Sequence, residues 1–132
     1  MRERLRGWLG NIVRHGPMQT FVEVYCKRGT SLREAIASDP RLEKHGLEVL
    51  KQHQPGRTPG WAKLRGVKPD RKGTVNVEWD ASAQVLHCRV VNRGRGRPHL
   101  IIGDLVEYLL ARHRSRILVL MIVPQKPRTD VD

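Results

Sequence analysis

Several features that assign proteins to well-known classes are scarce in this sequence. It contains only two cysteines, Cys26 and Cys88, and each lies within an apolar pattern, so neither a disulfide framework nor a cysteine-rich zinc site is indicated. No apolar run approaches the ~18 residues that a membrane-spanning helix requires, and the charged N-terminal stretch lacks an apolar run of signal-peptide length. We therefore predict a cytoplasmic protein without a transmembrane segment.

The residue patterns of metal and cofactor sites are also missing. The sequence has six histidines, but no two of them are spaced i, i+4, and no cluster of cysteines or carboxylates accompanies them. Asp104 and Glu107 have helical i, i+3 spacing, and we interpret them as ordinary charges on the surface of a helix. We accordingly predict that the protein holds no metal and no cofactor.

Acidic residues are few relative to basic ones. The chain carries 13 Asp and Glu against 25 Lys and Arg, which gives a formal net charge of +12. An excess of like charge opposes compaction, so a polyanionic partner is indicated, and phosphate backbones are the most common partner of this kind. The alternatives are an anionic membrane, an acidic protein, or a basic surface that is merely solvated.

Apolar spacing in the first part of the chain predicts helices. Residues 2–14 and residues 18–26 both place apolar side chains at i, i+3, i+4 and i+7, as the two helices of a helical hairpin would. Ser31 has a glutamate three residues later and opens a short helix, and Asp39, followed by proline, predicts the start of another. These two helices could form a DNA-reading helix-turn-helix, but we favour a plain packed pair because the turn lacks the usual glycine.

The rest of the chain has a different pattern. Residues 54–73 contain so many glycines and prolines that we predict a long basic loop. Residues 74–79 and 86–91 alternate apolar and polar side chains, as the strands of a β-hairpin do, and residues 99–113 have helical spacing. Residues 117–123 are a continuous apolar run. They predict a strand covered on both faces, which lies either centrally in the sheet or at the interface of a homodimer.

These elements define the predicted fold class. It is an α+β protein in which N-terminal helices precede a ββαβ unit with a small three-stranded sheet. A chain of this length is expected to have one hydrophobic core, so we predict a single domain over residues 1–132. Its parts are a helical part (1–53), a basic loop (54–73), the ββαβ part (74–124) and a frayed tail (125–132).

The connection before the last helix carries the most specific local motif. Its residues Arg95, Gly96, Arg97 and Pro98 resemble the core of an AT-hook. The resemblance implies an extended segment whose arginines enter the narrow minor groove of A·T-rich DNA. Two other interpretations remain open: a strand-to-helix connection in which Pro98 begins the helix, and a phosphate-binding loop that also uses Arg93.

The long basic loop is the second candidate for a binding site. A tryptophan among cations is typical of proteins that bind single-stranded nucleic acid, because the cations follow the phosphates while the indole stacks on a base. The alternative is a tryptophan that anchors the loop to the core. The nucleic-acid-binding residues that we predict in the two loops are Arg57, Trp61, Lys63, Arg65, Lys68, Arg71, Lys72, Arg93, Arg95 and Arg97.

Our leading hypothesis is a protein that binds DNA or RNA through phosphate contacts, without catalysis, and with an affinity that falls steeply with salt. One alternative is a metal-independent ribonuclease in which His87 or His99 acts as acid or base. One of three arginines, Arg89, Arg95 or Arg97, would then stabilise the phosphate. Another alternative is a peripheral membrane or protein-assembly factor that uses the basic helix of residues 2–14.

Overall fold

The computed structural model describes residues 18–92 and 97–124, which form a six-stranded antiparallel sheet with two helices. The strands are β1 (Met18–Cys26), β2 (Leu47–Lys51), β3 (Trp61–Gly66), β4 (Thr74–Asp80), β5 (Val85–Asn92) and β6 (Ile117–Val123), and the helices are α1 (Leu32–Ala37) and α2 (Pro98–His113). Their order across the sheet is β2-β3-β4-β5-β1-β6. Short 3-10 turns lie at Glu43–His45 and Arg114–Arg116.

Both helices pack on one face of the sheet. Alternate residues of a strand point to opposite faces, and Val22, Val77 and Cys88 lie opposite one another on β1, β4 and β5, on the face that the helices cover. From the helices, Ile36 of α1 and Leu105 of α2 join the same core cluster. The opposite face of the sheet carries no helix in the described ranges, and we call it the open face.

The predicted fold class is wrong, because the sheet has six strands rather than three, and three of them, β1, β2 and β3, lie in segments that were expected to be helix or loop. Residues 18–26, predicted as a helix, form β1, which pairs with β5 on one side and β6 on the other. Their apolar residues fit both periods, and the cross-strand hydrogen bonds of two neighbours decide the outcome. The predicted helix of residues 2–14 lies outside the described residues.

Two further segments differ from the prediction in the same way. The helix expected after Asp39 is a turn followed by a 3-10 turn, because Gly46 has a left-handed φ of 86° and stops the helical path before β2. A helix-turn-helix is thereby excluded. The predicted loop of residues 54–73 contains β3, a six-residue strand between Gly60 and Val67.

Other elements of the prediction are confirmed. The Ser31 hydroxyl accepts a hydrogen bond from the backbone N–H of Glu34 and caps α1. The β4–β5 hairpin forms, and α2 begins at Pro98 as its first residue. Residues 117–123 form a strand, but it lies at the edge of the sheet instead of its centre. Neither helix within the described ranges is both long and apolar enough to cross a membrane.

Candidate functional site

Cross-strand register brings polar side chains into rows on the open face. Lys63 of β3 lies opposite Asn76 of β4, and Asn76 lies opposite Arg89 of β5. Residues paired in this way have Cβ atoms ~4.5–5.5 Å apart and share one face of the sheet. The next row along the strands contains Glu78, His87 and Glu23. The open face therefore has a cationic row beside a row that holds two carboxylates and a histidine.

A cavity of about 590 Å³ lies over the cationic row. Two more cations reach it from the connections between strands: Arg57 comes from the segment between β2 and β3, and Lys72 from the segment between β3 and β4. Its lining residues are Gln19, Arg57, Lys63, Lys72, Gly73, Thr74, Asn76, Arg89 and Val91. No carboxylate is among these described residues, so apart from Val91 and Gly73 they are cationic or neutral polar side chains.

The four cations of this cavity have no counter-charge among the residues that the structure describes. Within residues 18–92 and 97–124, none of Arg57, Lys63, Lys72 and Arg89 makes an ion pair or a side-chain hydrogen bond. Burial lowers the pKa of Arg89, and the neighbouring positive charge of Arg57 lowers it further. An arginine nevertheless stays protonated in proteins. The cavity thus concentrates positive charge that a bound anion would neutralise.

Trp61 holds the Arg57 segment in place instead of presenting its ring to solvent. The side chain is buried, and its indole N–H donates a hydrogen bond to Oδ1 of Asn76 at 3.1 Å. The guanidinium carbon of Arg57 lies 5.3 Å from the centre of the indole ring, within the range of a cation–π contact. Of the two interpretations of Trp61, anchoring fits the structure. Base stacking does not, because the ring is covered.

Arg33 of helix α1 also holds this segment in place. Arg33 is buried and donates from Nε to the Trp61 carbonyl at 3.0 Å and from Nη2 to the Gln52 carbonyl at 2.5 Å. At the end of the segment, Gly60 approaches the backbone of Trp79 so closely that a Cβ on Gly60 would lie 2.8 Å from the Trp79 oxygen. These contacts fix the path of residues 52–60 and, with it, the position of Arg57.

The structure brings together only some of the predicted binding residues. Arg57, Lys63 and Lys72 line the cavity. Arg65 is on the open face but forms an ion pair with Glu48, and Arg71 faces α2, where its Nε contacts Asp104 Oδ2 at 2.8 Å. The remaining predicted residues lie elsewhere: Lys68 and Arg97 are exposed outside the cavity, and Arg93 and Arg95 fall outside the described residues, together with Gly96 of the AT-hook-like motif.

Arg89, Asn76 and Gln19 were missing from the predicted nucleic-acid-binding residues, although Arg89 was a candidate in the ribonuclease alternative. The alternation of β5 already placed Arg89 on the polar face of that strand, so the sequence held a signal for it. Gln19 could not be found, because residues 18–26 were interpreted as a helix. Asn76 can be recognised as a site residue only when the register of β3, β4 and β5 is known.

A smaller cavity of about 280 Å³ shares Arg57, Asn76 and Arg89 with the first. It also contains His87, whose Nδ1 lies 2.5 Å from Oε2 of Glu23, while its Nε2 lies 4.0 Å from Oδ2 of Asp80. His99, the other histidine that we considered for catalysis, is exposed in the first turn of α2 and lines neither cavity. Of the two histidines, the structure places only His87 beside arginines of the cavities.

Comparison with known proteins adds no family, because no protein-family model, curated protein or solved structure matches this chain. In the part of the chain that the structure describes, no three His, Cys, Asp or Glu side chains come close enough together to hold a metal ion. The candidate site is therefore characterised by its geometry and charge alone.

Proposed function

We propose that the protein binds nucleic acid through phosphate contacts on the open face of its sheet. The observation that carries the proposal is the convergence of Arg57, Lys63, Lys72 and Arg89 on one cavity, whose described lining residues include no carboxylate. Phosphate groups are the ligands that arginine forks and lysine ammonium groups bind most readily. The net charge of +12 would steer a polyanion toward the chain over a longer range.

Neutral polar groups complete the cavity. The Asn76 side chain accepts the Trp61 indole N–H at Oδ1, so its amide NH₂ is the end available to donate to a phosphate oxygen. Thr74 adds a hydroxyl two residues along the same strand and on the same face. Contacts of this kind position a phosphate backbone without reading its bases, so we propose binding with little sequence preference.

A salt titration with a matched pair of variants tests the proposal. We expect Arg89→Gln to weaken binding to labelled single-stranded RNA, single-stranded DNA and duplex DNA. It should also reduce the slope of log affinity against log salt by about one, because one phosphate contact is lost. Arg65→Gln is the control, since it removes the same charge from the same face at a residue already paired with Glu48. No binding at low salt, or equal losses in the two variants, contradicts the proposal.

Cleavage of RNA is the second candidate function, favoured by the contact of His87 with Glu23 beside Arg89. In this mechanism His87 takes the proton of a ribose 2′-hydroxyl, the 2′-oxygen attacks phosphorus, and the bond to the 5′-oxygen breaks as that oxygen takes a proton from water. Arg89 would stabilise the charge on the phosphate.

The binding reactions can be run on a gel to test this second function. We expect RNA to be degraded in the presence of a metal chelator and DNA to stay intact, because DNA lacks the 2′-hydroxyl. The variant His87→Ala should abolish degradation while binding persists. If the RNA stays intact in every lane, the ribonuclease function is rejected, and the binding proposal is unaffected.

The cytoplasmic location, the homodimer and the membrane alternative stay predictions. A cytoplasmic location agrees with a nucleic-acid ligand. The membrane hypothesis depended on residues 2–14, which lie outside the described residues.

A further inference from the structure

Strand β6 has a large apolar surface that no other described residue covers. All seven of its residues, Ile117–Val123, are apolar. Four of them are exposed: Leu118 at 62%, Val119 at 53%, and Met121 and Ile122 at 44% each. Because β6 pairs only with β1, no strand of the described chain pairs with its outer edge. A long, uncharged edge strand of this kind is a template for pairing with another chain.

The opposite edge of the sheet does not share these properties. Strand β2 has five residues, carries Glu48 and Lys51, and shifts its register with β3 between Val49 and Lys51. Short length, charge and an irregular register all discourage pairing at an edge. The sheet therefore has one edge suited to pairing. Association through a single edge of this kind closes after two copies, whereas two open edges would allow a fibre.

We propose that β6 pairs antiparallel with β6 of a second copy of this chain, around a two-fold axis at Leu120. The four exposed residues are symmetric about Leu120 in the sequence. In this register Val119 lies opposite Met121 of the partner subunit, and Leu118 lies opposite Ile122 of the partner subunit. Each exposed apolar side chain then meets another one on its own face of the joined sheet.

The uncharged sequence of β6 favours an equally apolar strand, such as β6 of a second copy, over an acidic protein or nucleic acid as its partner. The chain has a net charge of +12, yet β6 contains no charged residue that could attract a polyanion. The two-fold register also keeps like charges apart, because Arg116 falls opposite Pro124 of the partner subunit. Two strands of seven residues span only about 24 Å, so the interface is at the small end for a dimer, and we expect reversible, concentration-dependent association.

Light scattering after size exclusion, over a range of protein concentrations, tests the dimer. We expect a mass that rises from 15.2 kDa toward about twice that value as concentration increases. Leu118→Lys should keep the mass at that of one chain, because it buries a charge in the interface. Val67→Lys is the matched control: it makes the same kind of change at an apolar residue that is 47% exposed in the turn after β3, and it should still dimerise.

Cross-linking tests the register and does not depend on the behaviour of the lysine variants. An equal mixture of Val119→Cys and Met121→Cys should form a disulfide-linked dimer under mild oxidation, because directly opposite Cβ atoms lie ~4.5–5.5 Å apart. Either variant alone places its two cysteines on a diagonal ~7–8 Å apart and should oxidise much less. Cys26 and Cys88 are buried and free, and burial raises the pKa of both thiols, so they compete little.

Three results overturn the proposal. The first is a wild-type mass that equals one chain at every concentration, and the second is a dimer that persists in Leu118→Lys while that variant is folded by circular dichroism. The third is a mixture of the cysteine variants that cross-links no better than either variant alone. If the mass stays at that of one chain, β6 must be covered by something else, such as residues 1–17 of the same chain or a different protein. The dimer goes beyond the proposed function, and loss of nucleic-acid binding does not affect it.

Discussion

Arg33 and Arg89 are both withdrawn from solvent, but their surroundings differ. Arg33 donates to the carbonyl groups of Gln52 and Trp61 and pairs with Glu34, so its buried charge is compensated. Arg89 has no such partner among the described residues and lies beside another cation, Arg57. The first arginine serves the fold. The second has no such role, and its replacement tests the proposed binding.

Gly60 is the residue whose replacement should most directly disturb the Arg57 segment. A Cβ at this position would lie 2.8 Å from the Trp79 carbonyl oxygen, and a backbone atom cannot yield as the end of a flexible side chain can. We expect Gly60→Ala to lower the free energy of unfolding by about 1–3 kcal/mol, as overpacking does. Urea denaturation monitored by tryptophan fluorescence measures the change.

Gly103 provides the control for this variant. It lies within α2, and a Cβ there would meet no atom within 4 Å. Gly103→Ala should therefore raise the free energy of unfolding by about 0.5–1 kcal/mol, because alanine is the better helix former. If both alanine variants shift stability in the same direction, the contact between Gly60 and Trp79 is not the cause.

At the scale of elements, Asp39 connects the turn after α1 to the end of α2. Its carboxylate accepts hydrogen bonds from the Tyr108 hydroxyl at 2.8 Å, from Nε of Arg112 at 3.1 Å and from the backbone N–H of Arg41 at 2.9 Å. The single phenol proton of Tyr108 is used in this bond, so Nε2 of His113, 2.8 Å away, must be the donor to the Tyr108 oxygen.

This network predicts a loss of stability in acid. Burial would raise the pKa of Asp39, but hydrogen bonds from Arg112, Arg41 and Tyr108 outweigh burial and lower its pKa to about 2. Because the pKa is lower in the folded state, the stabilisation is present above pH ~4 and is lost as the pH falls toward 2; it amounts to about 2 kcal/mol. The pKa of His113 is also lowered, mainly by burial, which adds a loss that begins as the pH falls below ~6.5.

Urea denaturation at a series of pH values, with Asp39→Asn and Asp70→Asn, measures the contribution of Asp39. The amide that replaces the Asp39 carboxylate does not titrate, so the decline of stability between pH ~4 and 2 should be shallower than in the wild type. Asp70 is an exposed carboxylate next to Arg71, and its replacement should leave that decline nearly unchanged. Equal slopes in the wild type and in Asp39→Asn would show that the Asp39 network does not stabilise the fold.

Elements were predictable from the sequence where the periodicity was unambiguous. The β4–β5 hairpin and the sixteen-residue helix α2 each repeat one pattern over their whole length. In β1, Met18, Phe21, Val22 and Cys26 satisfy helical spacing, while Val22, Val24 and Cys26 also alternate. The local pattern could not distinguish a helix from a strand here, because the outcome depends on strands β5 and β6, which follow far along the chain.

For the whole molecule, the strand order could not be predicted, and the site depended on it. Three of the four cavity cations, Arg57, Lys63 and Lys72, were found because basic residues cluster between residues 54 and 73. Arg89 joins them only through the pairing of β3, β4 and β5. The position of Arg89 beside the other three cations could therefore be predicted only from the strand register, which the composition of a loop does not reveal.

The position of β1 also determines how the sheet can be completed. β1 is the first described strand along the chain, yet both of its neighbours come late: Phe21 pairs with Arg89 and with Val123, 102 residues further on. A sheet that depends on such distant pairs folds slowly, because the chain must close a long loop before those contacts form. During synthesis one edge of β1 must wait for β5 (Val85–Asn92) and the other for β6 (Ile117–Val123), so an unpaired edge persists until nearly the whole described chain has emerged, and open edges of this kind favour aggregation.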